Sequence, residues 1–157
     1  MTHETDLEIR GWTILSDSKA DALAVIEAAG SYDINHLQLS HHVVHNLMEV
    51  RDERKRRLVA ELTDAAHQAG ISDVLLWDHC LYDLDYYPHR FRTGPDGTID
   101  LDNRAFWEWV KEDYRELLRL VPSIQGLLLT FIETEARVET QHSRELPTKP
   151  VFYSMEI

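Results

Sequence analysis

At 157 residues, with 43% hydrophobic and 28% charged composition, the chain holds enough apolar material for one domain with its own core, which argues against disorder. Sixteen Lys and Arg against 28 Asp and Glu leave a net charge of −12, which disfavours nucleic acid and anionic membrane as partners and suits a neutral, sugar-like or cationic ligand. The single cysteine, Cys80, excludes an intramolecular disulfide. With no basic apolar leader in MTHETDLEIRGW and no apolar run of about 20 residues, the expected location is cytoplasmic.

The first strand is predicted over residues 7–15, LEIRGWTIL, and a helix follows in SDSKADALAVIEAAG. Ser18 with Asp21 reads as its capping box, Ala22, Val25, Ile26 and Ala29 recur at helical spacing, and Gly30 is the expected stop. INHLQLSHHVV supplies the second strand over 34–41, with Leu37 and Leu39 on one face and His36, Gln38, Ser40 and His42 on the other. Residues 52–69 are the clearest helix: Asp52 and Glu53 stand at its positive end, Leu58, Leu62, Ala65, Ala66 and Ala69 form a stripe, and Gly70 ends it. The third strand spans 72–80. A long aperiodic segment then runs to Asp102 or Asn103, with GPDG as an internal turn signal, as in functional loops. The third helix carries Phe106, Trp109, Val110, Leu117, Leu118 and Val121 up to Pro122, and the fourth strand covers 124–132.

Four strands alternating with three helices predict an α/β fold with parallel strands joined by right-handed crossovers. Two solutions compete at this length. One is a partial TIM (β/α)8 barrel with sequential strands and the helices on one face, and the other is a small doubly wound sheet. Neither GxGxxG nor GxxxxGK[ST] occurs, which weakens the nucleotide-binding form of the second. Composition leaves the choice open.

The stretches YDINHLQLSHHVVHNLMEVRD, LLWDHCLYDLDYYPHRFRTGPDGTIDLDNRAFWEWVKEDYRELL and IQGLLLTFIETEARVE resemble the first half of the catalytic barrel of (β/α)8 glycoside hydrolases, nearest to the α-glucuronidase-like group. The resemblance covers about residues 7–140. It implies a single partial barrel domain over 1–157, a fragment or truncated product, acting on a carbohydrate by carboxylate acid/base chemistry. In many retaining barrel glycosidases the acid/base glutamate follows strand four, which places it at Glu133 or Glu135. The opposing carboxylate comes late in such barrels, so this half is expected to be weakly active or inactive alone. A non-enzymatic carbohydrate-binding or protein-interaction module is the alternative.

Glu133 and Glu135 share side-chain parity if the strand continues, and Glu133 is preferred because it directly follows the apolar run; a rim carboxylate paired with Arg137 is the other reading. Asp78 and His79 sit at the end of strand three, where barrel enzymes collect binding groups. His41 and His42 occupy the equivalent end of strand two. Tyr86, Tyr87 and Arg90 in the long loop are expected to wall a sugar by ring stacking and, for a uronate, by a bidentate guanidinium. Trp77 and Trp109 read as packing residues. The histidines at 36, 41, 42 and 45 lack HExxH or a cysteine cluster, so no metal and no cofactor is expected. The expected partners are a carbohydrate and, through open sheet edges and an uncovered apolar interior, a second copy of the chain.

Overall fold

The computed structural model describes residues 7–93 and 98–130. Its principal sheet contains β1 (Gly11–Ile14), β2 (His36–Leu39), β3 (Asp73–His79) and β6 (Gly126–Thr130), all parallel and in sequential order. Between them lie α1 (Lys19–Ser31), α2 (Glu53–Gln68) and α3 (Arg104–Leu120). This is the sequential order of a partial barrel; the 2-1-3-4 order of the doubly wound alternative is not observed. The strands are shorter than predicted, and residues 131–132 of the expected fourth strand lie outside the described residues.

Side-chain alternation splits the sheet into two faces. Ile14, Leu39 and Leu76 stand in register, as do Leu37 and Val74, and all five are buried against the helices. At about 1.5–3 kcal/mol per fully buried aliphatic side chain, these rows and the helix stripes are the main favourable term in the fold. The opposite face was expected to be apolar. Instead, Gly11, Thr13, His36, Gln38 and Asp73 occupy it across β1, β2 and the start of β3, and only Leu75, Trp77 and Leu128 give it apolar character farther along. Its polar groups are chained. Thr13 Oγ1 donates to Gln38 Oε1 at 3.0 Å, the Gln38 amide donates to His36 Nε2 at 3.3 Å, and His36 Nδ1 donates to Asp73 Oδ2 at 2.6 Å.

Local chemistry explains the helix ends. Ser18, Asp52 and Asn103 are the N-caps, each side chain accepting from a backbone N–H of the first turn. Gly70 adopts φ +86° just beyond α2, the left-handed turn that glycine makes without a Cβ penalty. Gly30, by contrast, does not stop α1. It lies inside the last turn, where the Ala69 carbonyl oxygen would stand 2.8 Å from an added Cβ, so its role is close approach of α1 to the end of α2. In the long loop, one-turn 3-10 helices form at Leu84–Tyr86 and His89–Phe91, and β4 (Arg92–Thr93) pairs antiparallel with β5 (Thr98–Ile99) on either side of GPDG.

Gly30→Val is therefore expected to destabilise the fold by about 1–3 kcal/mol through overpacking against Ala69, measured as a lower urea midpoint at unchanged slope.

Candidate functional site

The carboxyl ends of β2 and β3 bring a group of rings together. After β2, Ser40 opens a turn: its carbonyl accepts from Val43 N at 2.8 Å and its hydroxyl from His42 N at 3.3 Å, which carries His41, His42 and His45 alongside the end of β3. The His41 ring centroid lies 4.4 Å from that of His42, 5.4 Å from His79 and 5.7 Å from Trp77. The His45 centroid lies 4.4 Å from His79 and 4.5 Å from Tyr82. His79 is held by its backbone N and by Nδ1, both donating to the His45 carbonyl, at 3.2 and 3.0 Å. Nδ1 therefore carries a proton, and in the neutral ring Nε2 is the acceptor. Trp77 Nε1 donates to Thr130 Oγ1 at 3.3 Å, linking the group to the end of β6. No three His, Cys, Asp or Glu side chains converge as metal ligands among the described residues.

Asp78 is not part of this group. It shares parity with Val74 and Leu76, is 3% exposed, and faces the helices. One carboxylate oxygen accepts from Leu47 N at 2.6 Å and the other from the Tyr114 hydroxyl. Burial, the larger effect, lifts the Asp78 carboxyl above its ordinary range, while these two donors pull it back. Expected from the sequence among the substrate-orienting groups, Asp78 is instead turned from the ring group toward the helices, each oxygen engaged by a protein donor and almost withdrawn from solvent.

The loop residues are also turned elsewhere. Tyr87 is buried, its hydroxyl accepting from Leu81 N at 3.1 Å, and Tyr86 donates to Asp113 Oδ2 at 2.6 Å. Both rings pack on Trp109 of α3, with centroids 6.0 and 5.8 Å away. Asp113, 8% exposed, also accepts from Arg51 at 2.8 Å, and Arg51 reaches Glu116 at 3.1 Å. Burial pushes the Tyr86 hydroxyl up to about 12, and the bond to Asp113 adds to it. A cavity of about 20 Å³ lined in part by Asp78, Tyr86, Asp113 and Tyr114 has room for a water and not for a sugar. Arg90 is exposed, with its guanidinium 4.5 Å from the centre of the Phe91 ring. These residues pin the loop to α3. Glu133 and Glu135 lie outside the described residues.

The structure thus brings His41, His42 and His79 together and adds His45, Trp77 and Tyr82. Trp77 was read as packing because its neighbours in sequence are aliphatic; its odd-numbered position, two residues before His79, was the available signal that it lies on the open face.

No protein-family model matches the chain, and no curated protein matches it. Among solved structures, the chain is similar to the one titled "Structure of CpGH84B", with a TM-score of 0.55 and 12% sequence identity over 92% of this chain. That protein belongs to glycoside hydrolase family 84. At this identity the likeness is one of fold, and this chain spans 26% of that protein's length. A partial (β/α) barrel of four parallel strands and three helices is the architecture supported. No helix among the described residues is long and apolar enough to cross a membrane.

The raised Asp78 carboxyl has a measurable consequence. The fold favours its neutral form, a stabilisation complete below the unfolded value of about 3.9 and lost as pH rises through the higher folded value. Asp78→Asn cannot ionise and lacks this slope. Urea denaturation between about pH 4 and 8 is expected to show the stability deficit of the variant shrinking as the pH rises.

Proposed function

We propose that the chain is the first-half portion of a glycoside hydrolase-like barrel and that it engages a carbohydrate at the carboxyl ends of β2, β3 and β6. The observation that carries this reading is the gathering of His41, His42, His45, Trp77, His79 and Tyr82 at the strand ends. Barrel enzymes place their chemistry at that end. Imidazoles offer both a donor and an acceptor to vicinal hydroxyls, and indole and phenol rings stack on the C–H face of a sugar. Glu133 and Glu135 follow β6 by a few residues and remain the acid/base candidates from the sequence, with Glu133 preferred.

The chemistry needs two carboxyl groups flanking the bond, one to donate a proton and one to attack or activate water, about 5–5.5 Å apart for retention and 6.5–9.5 Å for inversion. Glu133 and Glu135, two residues apart in the sequence, are taken as one acid/base position, and in the barrels the sequence resembles the opposing carboxylate comes from the later half. The chain alone is therefore a carbohydrate binder with weak or no turnover. A non-enzymatic binding module is the second reading, favoured by the make-up of the strand-end contacts, which are between imidazole, indole and phenol rings.

Proton-carbon NMR titration with a panel of neutral sugars and uronates tests binding, and aryl glycosides test turnover. Saturable shifts of the His41, His42 and Trp77 side-chain signals are expected, weakened several-fold by His42→Ala, which removes an exposed ring. Any turnover should fall by about 10²–10⁴ in Glu133→Gln. Absence of shifts across the panel would overturn the binding assignment, and unchanged turnover in both Glu133→Gln and Glu135→Gln would overturn the acid/base assignment.

A further inference from the structure

We infer that Thr13, Gln38, His36 and Asp73 form a proton-operated relay across β1, β2 and β3, in which a proton taken up by His36 turns the Gln38 amide over and changes Thr13 from a donor into an acceptor toward that amide. The inference rests on which of these groups can donate and which can only accept. It does not depend on the carbohydrate reading, so either can fail without the other.

Strand register lines the four side chains up on one face. His36 stands between Gly11 of β1 and Asp73 of β3, and Gln38 stands opposite Thr13. His36 Nδ1 lies 2.6 Å from Asp73 Oδ2, His36 Nε2 lies 3.3 Å from the Gln38 amide nitrogen, and Thr13 Oγ1 lies 3.0 Å from Gln38 Oε1. Gly11 leaves room for the ring, because a Cβ there would lie 2.8 Å from His36 Cδ2. Among the described residues, Asp73 is the charged side chain bonded to the imidazole. Arg10, next to Gly11 on β1, turns its guanidinium to the Asp33 carboxylate at 3.2 Å and to the Leu7 carbonyl at 2.7 Å. Asn35, next to His36 on the other side, is neutral and joins Arg10 N to the Glu8 carbonyl.

The two ends of this chain of bonds differ in what they allow. A carboxylate only accepts, so Asp73 keeps a proton on His36 Nδ1, whereas a hydroxyl donates or accepts, so Thr13 imposes no direction. The direction is therefore set at His36 Nε2. Without a proton there, Nε2 accepts from the Gln38 amide and Gln38 Oε1 accepts from Thr13, as observed. With a proton there, two donors would face each other at a half-buried position. A half-turn of the amide restores both bonds: Gln38 Oε1 accepts from His36 Nε2, and the amide nitrogen donates to Thr13 Oγ1, whose own hydrogen turns to another acceptor. Amide oxygen and nitrogen are nearly interchangeable in shape, so no neighbour has to move. One proton enters from solvent, forming one N–H bond, and the imidazolium rests beside the Asp73 carboxylate. Imidazole is the side chain that ordinarily changes charge between about pH 5 and 8, which makes the relay sensitive to pH. A polar group placed against Thr13 then meets a lone pair above the transition and a hydroxyl hydrogen below it.

NMR of the isotope-labelled 157-residue chain from about pH 5 to 8 tests the relay. The expected result is a His36 ring whose Nδ1 carries a proton at both ends of the range and whose Nε2 gains one as the pH falls. Over the same transition, the Gln38 amide protons should exchange their cross-relaxation contacts with the His36 ring for contacts with the Thr13 methyl, and the Thr13 methyl signal should shift with the same midpoint. In Gln38→Met the ring should still titrate while the Thr13 shift falls several-fold, which separates a relay from the direct field of the imidazolium. Each of four results would overturn the proposal: a ring that keeps one protonation state throughout, an Nδ1 that loses its proton, a Gln38 amide with the same contacts at both ends of the range, or a Thr13 signal that follows His36 equally well in Gln38→Met. The first three are read from the unmodified chain, so they stand whether or not the variant folds.

Discussion

A carboxylate buried at the end of a central strand must find donors there, and the route of the chain around Asp78 follows from that requirement. Leu47 N is brought to one of its oxygens and the Tyr114 hydroxyl to the other. The first contact anchors the segment that leaves β2, and the second anchors α3. Either group left without its partner would be a buried polar atom costing about 1–3 kcal/mol. With Leu47 fixed, the preceding residues have little freedom. Val43 and Val44 are buried, Asn46 turns its amide toward the carbonyls of His45 and His79 at 3.1 Å each, and the His41, His42 and His45 rings are left beside His79. The ring cluster at the mouth is positioned from beneath, by a residue that does not belong to it.

The same alternation that puts Asp78 toward the helices puts Trp77 and His79 on the other side. The two faces of β3 therefore divide the work: the even-numbered residues hold the helices, and the odd-numbered Asp73, Leu75 and Trp77 form the half-open surface, which ends at His79, buried among the rings. The open surface is unusual for a barrel interior, where bulky branched residues dominate. Here its lower part is an amide, an imidazole and a carboxylate in a chain of bonds, and its upper part is aromatic. Polarity at the bottom and rings at the top give the face a direction, with ring stacking available at the strand ends and a rigid hydrogen-bonded floor below.

Much of the scaffold was legible because it depends on local rules. Ser18, Asp52 and Gly70 mark helix ends by chemistry that acts within one turn, and Leu37 with Leu39 declares the buried face of β2. Gly30 was misread because its reason lies in another helix, at the Ala69 carbonyl. The proximity of His41, His42 and His79 was legible, because strand ends alone gave their address. The surroundings of Asp78, Tyr86 and Tyr87 were not, because whether a polar side chain turns to the strand-end rings or to the helices depends on partners such as Tyr114 and Asp113 that are 36 and 27 residues away. The open face was misjudged for a related reason: a general expectation of an apolar barrel interior outweighed the His36 and Gln38 visible in the sequence.

The sequential strand order also sets an assembly schedule. Contacts between neighbouring strands span 25 residues from β1 to β2, 37 from β2 to β3, and 51 from β3 to the approach to β6. Closing a loop twice as long costs only about 0.6 kcal/mol more, but that cost is met before the longer pairing returns anything. Each strand also docks on one that precedes it in the chain. A ribosome releasing the protein from its amino end thus exposes the strands in the order in which they pair, and β3 waits longest, its far edge uncovered until the whole loop and α3 have emerged.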